Sequence, residues 1–158
     1  MARRIVLTIE NDEHNLRQVS KPVVDFNEKL HTLLDDMYET MVESKGVGLA
    51  APQIGILKRV FIVDGGTGDK TKKSDIIEFI NPQIIKQSGT RQGEEGCLSI
   101  PEKKASVVRP KRLIVTAQNR HGEYFTIRTN DSLMCAAFCH ELDHLNGVLY
   151  TDKAVNKN

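Results

Sequence analysis

The sequence predicts an α+β domain with mixed or antiparallel sheets, one helix near the N-terminus and one near the C-terminus. Strand-like segments occupy the beginning and the middle of the chain, and the helical patterns do not alternate with them as in βαβ units. No internal repeat or low-complexity tract divides the 158 residues. We therefore expect residues 1–158 to form a single domain.

The N-terminal helix is predicted to begin at Asp25 and to end near Ser44. Asp25 is expected to cap the helix, with Glu28 three residues later completing a capping box. Lys45-Gly46 should close it. Apolar residues recur at helical spacing along one face, namely Phe26, Leu30, Leu33, Leu34, Met37 and Met41.

Five segments carry strand signals, at residues 4–9, 60–63, 76–85, 113–118 and 124–128. The last two alternate apolar and polar residues and should form a hairpin. Residues 65–75, with three glycines and three lysines, are predicted to be a surface loop. Pro101 is expected to end a further short extended run. The C-terminal helix should start at Asn130 or Asp131 and end at Asn146-Gly147.

Composition excludes several classes of protein. The chain has 22 basic and 21 acidic residues and a formal net charge of +1, so no overall charge draws it to a nucleic acid or a membrane. No apolar segment is long enough to span a bilayer, and no secretion signal is evident. The odd cysteine count, Cys97, Cys135 and Cys139, argues against a disulfide framework. We expect a cytoplasmic protein with reduced thiols.

The segment His140-Glu141-Leu142-Asp143-His144 lies inside the predicted C-terminal helix. Residues four apart share one helical face, so both imidazoles can point at one metal ion. Glu141 would project beside them, where it can hold and deprotonate a water molecule. The alternative is a helix whose histidines simply pack or face solvent.

A catalytic metal needs a third protein ligand. The 14 residues after His144 contain no Glu and no His, so this ligand must lie upstream. His14, His31 and His121 each lie in a polar stretch typical of the surface. Cys97 is the better candidate, because a thiolate with two imidazoles leaves a fourth position open for water. The alternative for Cys97 is a buried structural thiol.

A third segment, GVGLAAPQIG at residues 46–55, is dominated by small residues that let backbone approach a substrate closely. Gln53 is the only side chain in it that can donate hydrogen bonds. A packing turn explains the segment equally well.

Together, GVGLAAPQIG at 46–55, EEGCLSIP at 94–101 and HELDH at 140–144 resemble the peptide deformylase family in residues, order and spacing. The resemblance extends over most of the chain. It implies an amide hydrolase that removes the N-formyl group from N-formylmethionyl nascent proteins and releases formate.

The resemblance also implies roles for the metal site. Cys97, His140 and His144 would hold one divalent metal ion, typically Fe²⁺, although Zn²⁺, Ni²⁺ or Co²⁺ can occupy such a site. Glu141 would act as general base and then as general acid. Ligand softness does not choose among these metals, so the iron assignment rests on the resemblance alone.

For the substrate, the resemblance implies an oxyanion hole made by the Gln53 side-chain amide and the Leu98 backbone N–H. Gly48 would offer backbone hydrogen bonds to the peptide. On the helix, Leu133, Ala136 and Ala137 lie seven, four and three positions before His140, on the same face. Together with Val47 of the glycine-rich segment, they could line an apolar pocket for the methionine side chain. Alternatively, these residues simply pack in the core.

Neighbours of the ligands are predicted on the same basis. The family pattern pairs Glu95 with Arg109, which would fix the Cys97 loop. Asp143 either orients an imidazole or lies on a solvated helix face. Cys139 stands where many members have Gln.

The implied partners are nascent formylmethionyl polypeptide and the ribosome, with no membrane and no sequence-specific nucleic acid. Some members dock on the ribosome through a long C-terminal helix, whereas the tail here is short and polar.

Two other functions compete with deformylation. A zinc peptidase is disfavoured because no third ligand follows His144. A non-catalytic metal-binding protein is disfavoured because a structural site has no use for Glu141 or Gln53 and would normally close its fourth position with another Cys or His.

Overall fold

The computed structural model describes residues 2–66 and 72–155. It contains three α-helices: α1 (Ile9–Leu16), α2 (Glu28–Glu43) and α3 (Ser132–Leu145). The strands are β1 (Gly48–Ala50), β2 (Val60–Asp64), β3 (Ile76–Ser88), β4 (Arg91–Cys97), β5 (Ile100–Arg109), β6 (Arg112–Gln118) and β7 (Tyr124–Thr129). Short 3₁₀ turns cover Ala51–Ile54, Lys73–Asp75 and Tyr150–Lys153.

All strand pairs are antiparallel. Five strands form one sheet in the order β1-β2-β3-β6-β7, and β4 and β5 form a separate two-stranded sheet. Side chains alternate along β2, so Val60 and Ile62 pack in the core cluster with α2, whereas Phe61 and Val63 pack with α3. The two helices therefore cover opposite faces of the large sheet, which confirms the predicted α+β class.

Helix α2 buries the predicted stripe but starts later than expected. Its N-cap is Asn27, whose side chain accepts a hydrogen bond of 3.2 Å from the Leu30 N–H. The predicted cap at Asp25 with Glu28 is therefore wrong. Every stripe residue is buried except Phe26, which is partly buried against the same cluster. The predicted end is confirmed, since Ser44 is the C-cap and Lys45 turns the chain with φ of 58°.

The N-terminal strand predicted at residues 4–9 is wrong. The chain up to Arg4 bonds to side chains of α2, and further on the Leu7 N–H donates to the Gln53 carbonyl at 2.7 Å, outside any strand. The Ala2 N–H donates to Asp36 Oδ1 at 2.7 Å and the Arg4 N–H donates to Thr40 Oγ1 at 2.7 Å. From Thr8, which caps it, the chain enters α1.

The small sheet was not predicted as a pair of strands. β4 is exposed along most of its length, so it lacks the alternation that marks a half-buried strand. Pro101 does not end the extended run, as expected, but lies inside β5. The small sheet turns sharply between Cys97 and Ile100, which are register partners.

The C-terminal half follows the prediction closely. β6 and β7 form the expected hairpin. Asp131 caps α3 by accepting a hydrogen bond of 2.9 Å from the Met134 N–H, and the helix ends at Leu145 before Gly147, whose φ is 74°. Of the predicted loop at 65–75, residues 67–71 lie outside the described residues. No helix in the described residues is both long and apolar enough to cross a membrane.

Candidate metal centre

The structure brings Cys97, His140 and His144 together at one point. Cys97 ends β4, and the two histidines are one turn apart on α3. One ligand atom from each residue lies within 4.8 Å of the other two, and Cys97 Sγ is 3.3 Å from His144 Nε2. Helical spacing and the sharp turn after β4 therefore produce a three-donor cluster.

The His140 ring is held on two sides. Its Nδ1 forms a hydrogen bond of 2.9 Å with Glu95 Oε1, which leaves Nε2 free for a metal. Its face stacks on Tyr150, with ring centroids 5.7 Å apart and an interplanar angle of 23°. The buried Tyr150 in turn donates its hydroxyl to the Lys103 carbonyl of β5 at 3.0 Å. The stacking role of Tyr150 was not predicted.

The predicted Glu95–Arg109 pair is confirmed as a bidentate contact with two hydrogen bonds of 2.8 Å. Arg109 also donates to Asp143 at 2.8 Å, and Asp143 accepts from Lys153 at 3.0 Å. Asp143 is therefore buried in a charge network, so of its two predicted positions the solvated helix face is wrong. Burial alone would raise the pKa of Glu95, but hydrogen bonds from Arg109 and His140 lower it to about 2.

The electrostatics of the cluster fit a cation. Burial holds the pKa of His144 well below its ordinary value, so its ring is neutral, the form that binds metals. Burial would also lower the pKa of His140, but hydrogen bonds to Cys97 and Glu95 raise it to about 10. A metal ion bound here would take the place of the proton that His140 shares with Cys97. Thiolate and imidazole donors suit a divalent transition metal.

Glu141 is buried beside this cluster, and its Oε1 makes no hydrogen bond within the described residues. Burial raises the pKa of Glu141 to about 7. A Cβ placed on Gly48 would lie 2.7 Å from Glu141 Oε2, so the carboxylate reaches the backbone of β1 only because residue 48 is glycine.

Gln53 is oriented by contacts at both ends of its amide. Its Oε1 accepts from the Ala50 N–H at 3.0 Å, and its Nε2 donates to Ser99 Oγ at 3.1 Å and lies 3.7 Å from Cys97 Sγ. The amide NH₂ is thus turned towards the metal centre. The buried Ser99 was not predicted, although it stands two residues after Cys97 in EEGCLSIP.

A cavity of about 780 Å³ opens onto this cluster. Besides Cys97, His140 and Glu141, its lining includes every predicted substrate residue: Val47, Gly48, Gln53, Leu98, Leu133, Ala136 and Ala137. Val47 and Leu133 are about half exposed, at 50% and 54%, as pocket-lining side chains would be.

The remaining candidate ligands lie elsewhere. His31 contacts Arg120 and His121 near the β6–β7 turn, and His14 is in α1. Cys135 and Cys139 are buried in the α3 cluster, where burial raises the pKa of the Cys139 thiol to about 11. Neither thiol belongs to the metal cluster.

The arrangement defines a class of protein. A Cys/His/His cluster lies beside a buried carboxylate at the floor of an open cavity. This combination of groups is typical of a metal-dependent hydrolase.

Comparison with known proteins gives the particular family. Residues 4–158 match the polypeptide deformylase family, and the chain belongs to it. A peptide deformylase of Acetivibrio thermocellus is 49% identical over 146 residues, covering 92% of this chain and 81% of that protein. A peptide deformylase of Alkaliphilus metalliredigens is 46% identical over 157 residues, which cover 99% of this chain and 100% of that protein.

Solved structures agree with this assignment. The peptide deformylase of Thermotoga maritima superposes with a TM-score of 0.89 at 39% identity, covering 99% of this chain and 100% of that one. The peptide deformylase of Legionella pneumophila superposes with a TM-score of 0.89 at 40% identity, covering 98% of this chain and 87% of that one. The chain is therefore a hydrolase that removes the N-formyl group from the N-terminus of nascent peptides.

Proposed function

We propose that Cys97, His140 and His144 hold the single catalytic metal ion, and that it is Fe²⁺, with Zn²⁺, Ni²⁺ or Co²⁺ as substitutes. The mutual distances within 4.8 Å and the engagement of His140 Nδ1 by Glu95 support this ligand set. An ion held there would lower the pKa of a nearby water and polarise the formyl carbonyl. The choice of iron rests on the family resemblance, because these donors suit several metals.

Glu141 is proposed to move the proton. It accepts the proton of the attacking water, so that a nucleophilic oxygen forms a bond to the formyl carbon. It then delivers that proton to the departing amine as the C–N bond breaks, and formate and a free N-terminus are released. The observation that carries this role is the buried Glu141 carboxylate at the cavity floor, with Oε1 unengaged within the described residues and its pKa raised to about 7.

Gln53 and the Leu98 backbone N–H are proposed to stabilise the charge that develops on the formyl oxygen. The contacts with Ala50 and Ser99 fix the Gln53 amide before substrate arrives, and each preorganised donor of this kind contributes about 3 kcal/mol. Gly48 would pair with the substrate backbone. The apolar side of the cavity, formed by Val47, Leu133, Ala136 and Ala137, would hold the methionine side chain.

Residues 1–158 are proposed to form one catalytic domain that works in the cytoplasm on nascent N-formylmethionyl polypeptide at the ribosome. The family's action on nascent chains supports this setting.

The role of Glu141 is tested by Glu141→Gln, which keeps the size of the side chain and removes its basicity. We expect formate release from a formyl-Met peptide to fall by about 10² or more, because general acid–base catalysis contributes at least that much. Metal content, determined on the same sample, should be unchanged. The control is Glu94→Gln, which removes an exposed carboxylate from the rim of the same cavity and should retain activity. Wild-type turnover by Glu141→Gln would contradict the proposed mechanism.

A further inference from the structure

One face of the five-stranded sheet is only partly covered. Helix α2 packs on the face that includes Val60, Ile62 and Ile80, near β1, β2 and the start of β3. Along β6, alternate residues such as Leu113 and Val115 point to the opposite face, into the α3 cluster. The residues between them therefore point to the α2 side, where the end of β3, β6 and β7 extend beyond the core cluster of α2.

This open sheet face is cationic at one end, where Lys86, Arg112 and Arg128 surround the partly buried Ile114. Thr116, Thr126 and Tyr124 complete it. Lys86 and Arg128 are both register partners of Ile114, on either side of it, so about 10 Å separates their strands. Arg112 pairs with Ser88, two residues further along these strands and so on the same face, and its Nε donates to Ser88 Oγ at 2.9 Å.

The three cations line a depression of about 470 Å³ whose described lining contains no carboxylate. Within residues 2–66 and 72–155, none of them forms an ion pair. Most other arginines of the chain do, including Arg109 and Arg120. Three unneutralised cations on adjacent strands favour a polyanionic ligand.

The rest of the open sheet face is polar and ends in an aromatic ring. Thr116 and Thr126 are register partners in the middle of it. Tyr124, the last residue of this row, is 76% exposed. The neighbouring carboxylate of Glu123 accepts a hydrogen bond from the Asn119 amide at 2.9 Å. A sheet surface with cations at one end and an exposed aromatic ring at the other suits a nucleic-acid strand. Cations bind its phosphates, and an aromatic ring stacks on its bases.

We propose that the open sheet face binds single-stranded RNA without sequence specificity. Lys86, Arg112 and Arg128 contact phosphates, and Tyr124 stacks on a base. RNA is favoured over an anionic membrane because the cations line a concavity and a polar threonine row separates them from Tyr124, whereas a membrane-binding surface would present a continuous apolar patch. The net charge of only +1 makes this a local attraction and not a property of the whole chain.

The test uses the full chain and a labelled oligouridine of about 12 nucleotides, a length that one such surface can hold. Binding is measured by fluorescence anisotropy between about 50 and about 200 mM salt. The variant Lys86→Gln/Arg112→Gln/Arg128→Gln removes three charges from the open sheet face. Its matched control, Lys21→Gln/Lys29→Gln/Lys58→Gln, removes three exposed charges from elsewhere.

We expect the first triple variant to bind RNA at least about tenfold more weakly, with the slope of log Kd against log salt reduced by about 2, because three phosphate contacts are lost. The control should bind as the wild type does. Tyr124→Ala should weaken RNA binding by about fivefold or more. Tyr124→Phe should bind RNA as the wild type does, because stacking needs only the aromatic ring. Formate release from a short formyl-Met peptide should be unchanged in all four variants, so the result is independent of the proposed catalytic roles.

Three results would overturn the proposal. The first is equal RNA affinity in the wild type and in the first triple variant, and the second is an equal loss of affinity in the control. The third is binding to phosphatidylglycerol–phosphatidylcholine vesicles that depends on the three cations while RNA binding does not, which would assign the face to a membrane.

Discussion

At the scale of single residues, the proposed metal site depends on atoms that fix its three candidate ligands as much as on the ligands themselves. His140 is oriented at Nδ1 by Glu95 and on its ring face by Tyr150. Sequence patterns indicated the ligands because HELDH and EEGCLSIP are local. Tyr150 escaped prediction, because its contact with a ring ten positions earlier depends on how the chain returns after α3.

The ligand role of Cys97 is tested by Cys97→Ser. A serine hydroxyl is a far poorer ligand for a transition metal than a thiolate, so most of the metal should be lost. Metal content after purification measures this directly. Cys139→Ala, which alters a thiol outside the cluster, should keep its metal. Full metal content in Cys97→Ser would remove Cys97 from the ligand set.

The positioning role of Tyr150 is tested by two substitutions. Tyr150→Phe removes only the hydrogen bond to Lys103, whereas Tyr150→Leu also removes the stack on His140. An aromatic pair contributes about 0.5–1.5 kcal/mol, so metal loss to a chelator should be about 2- to 10-fold faster in the leucine variant than in the phenylalanine variant. Equal rates, with both variants folded by circular dichroism, would mean that the stack does not hold the ligand.

At the scale of secondary-structure elements, α3 matters most because it carries His140, Glu141 and His144 on one short helix. Its N-terminus depends on Asp131, which accepts from the Met134 N–H. The cap is a local interaction at the start of α3, so its contribution to stability can be tested without changing any residue of the proposed metal site.

Asp131→Ala should lower the free energy of unfolding by about 1 kcal/mol, because loss of the cap leaves the Met134 N–H without its partner. Asp131→Asn keeps an acceptor oxygen and should lose much less. Urea denaturation of the two variants gives the comparison. Equal stability of Asp131→Ala and the wild type would show that the cap contributes nothing to α3.

Elements with local signals could be predicted from the sequence. The apolar stripe of α2, the cap of α3 and the β6–β7 hairpin each depend on residues close in the chain. The sheet of β4 and β5 could not, because its strands are largely exposed. Helix α1 had a signal, since Thr8 and Asn11 form a capping box, but it is short, kinked at Asp12 and poor in apolar residues.

At the scale of the whole molecule, the cavity is built where separate units meet. The small sheet supplies Cys97, the large sheet supplies Gly48, and α3 supplies the two histidines and Glu141. The Arg109 network links these parts, since Arg109 on β5 binds Glu95 on β4 and Asp143 on α3. Three short motifs in the sequence predicted which residues meet, and the fold explains how segments far apart in the chain do so.

We infer that this chain removes formyl groups at the Cys97–His140–His144 centre with one bound metal ion. The decisive experiment is to purify the protein anaerobically and to measure, on one sample, formate release from a formyl-Met peptide and the metal content. We predict formate release with about one metal ion per chain, the stoichiometry of a single catalytic site with three protein ligands. A fully metallated sample that releases no formate would contradict this function.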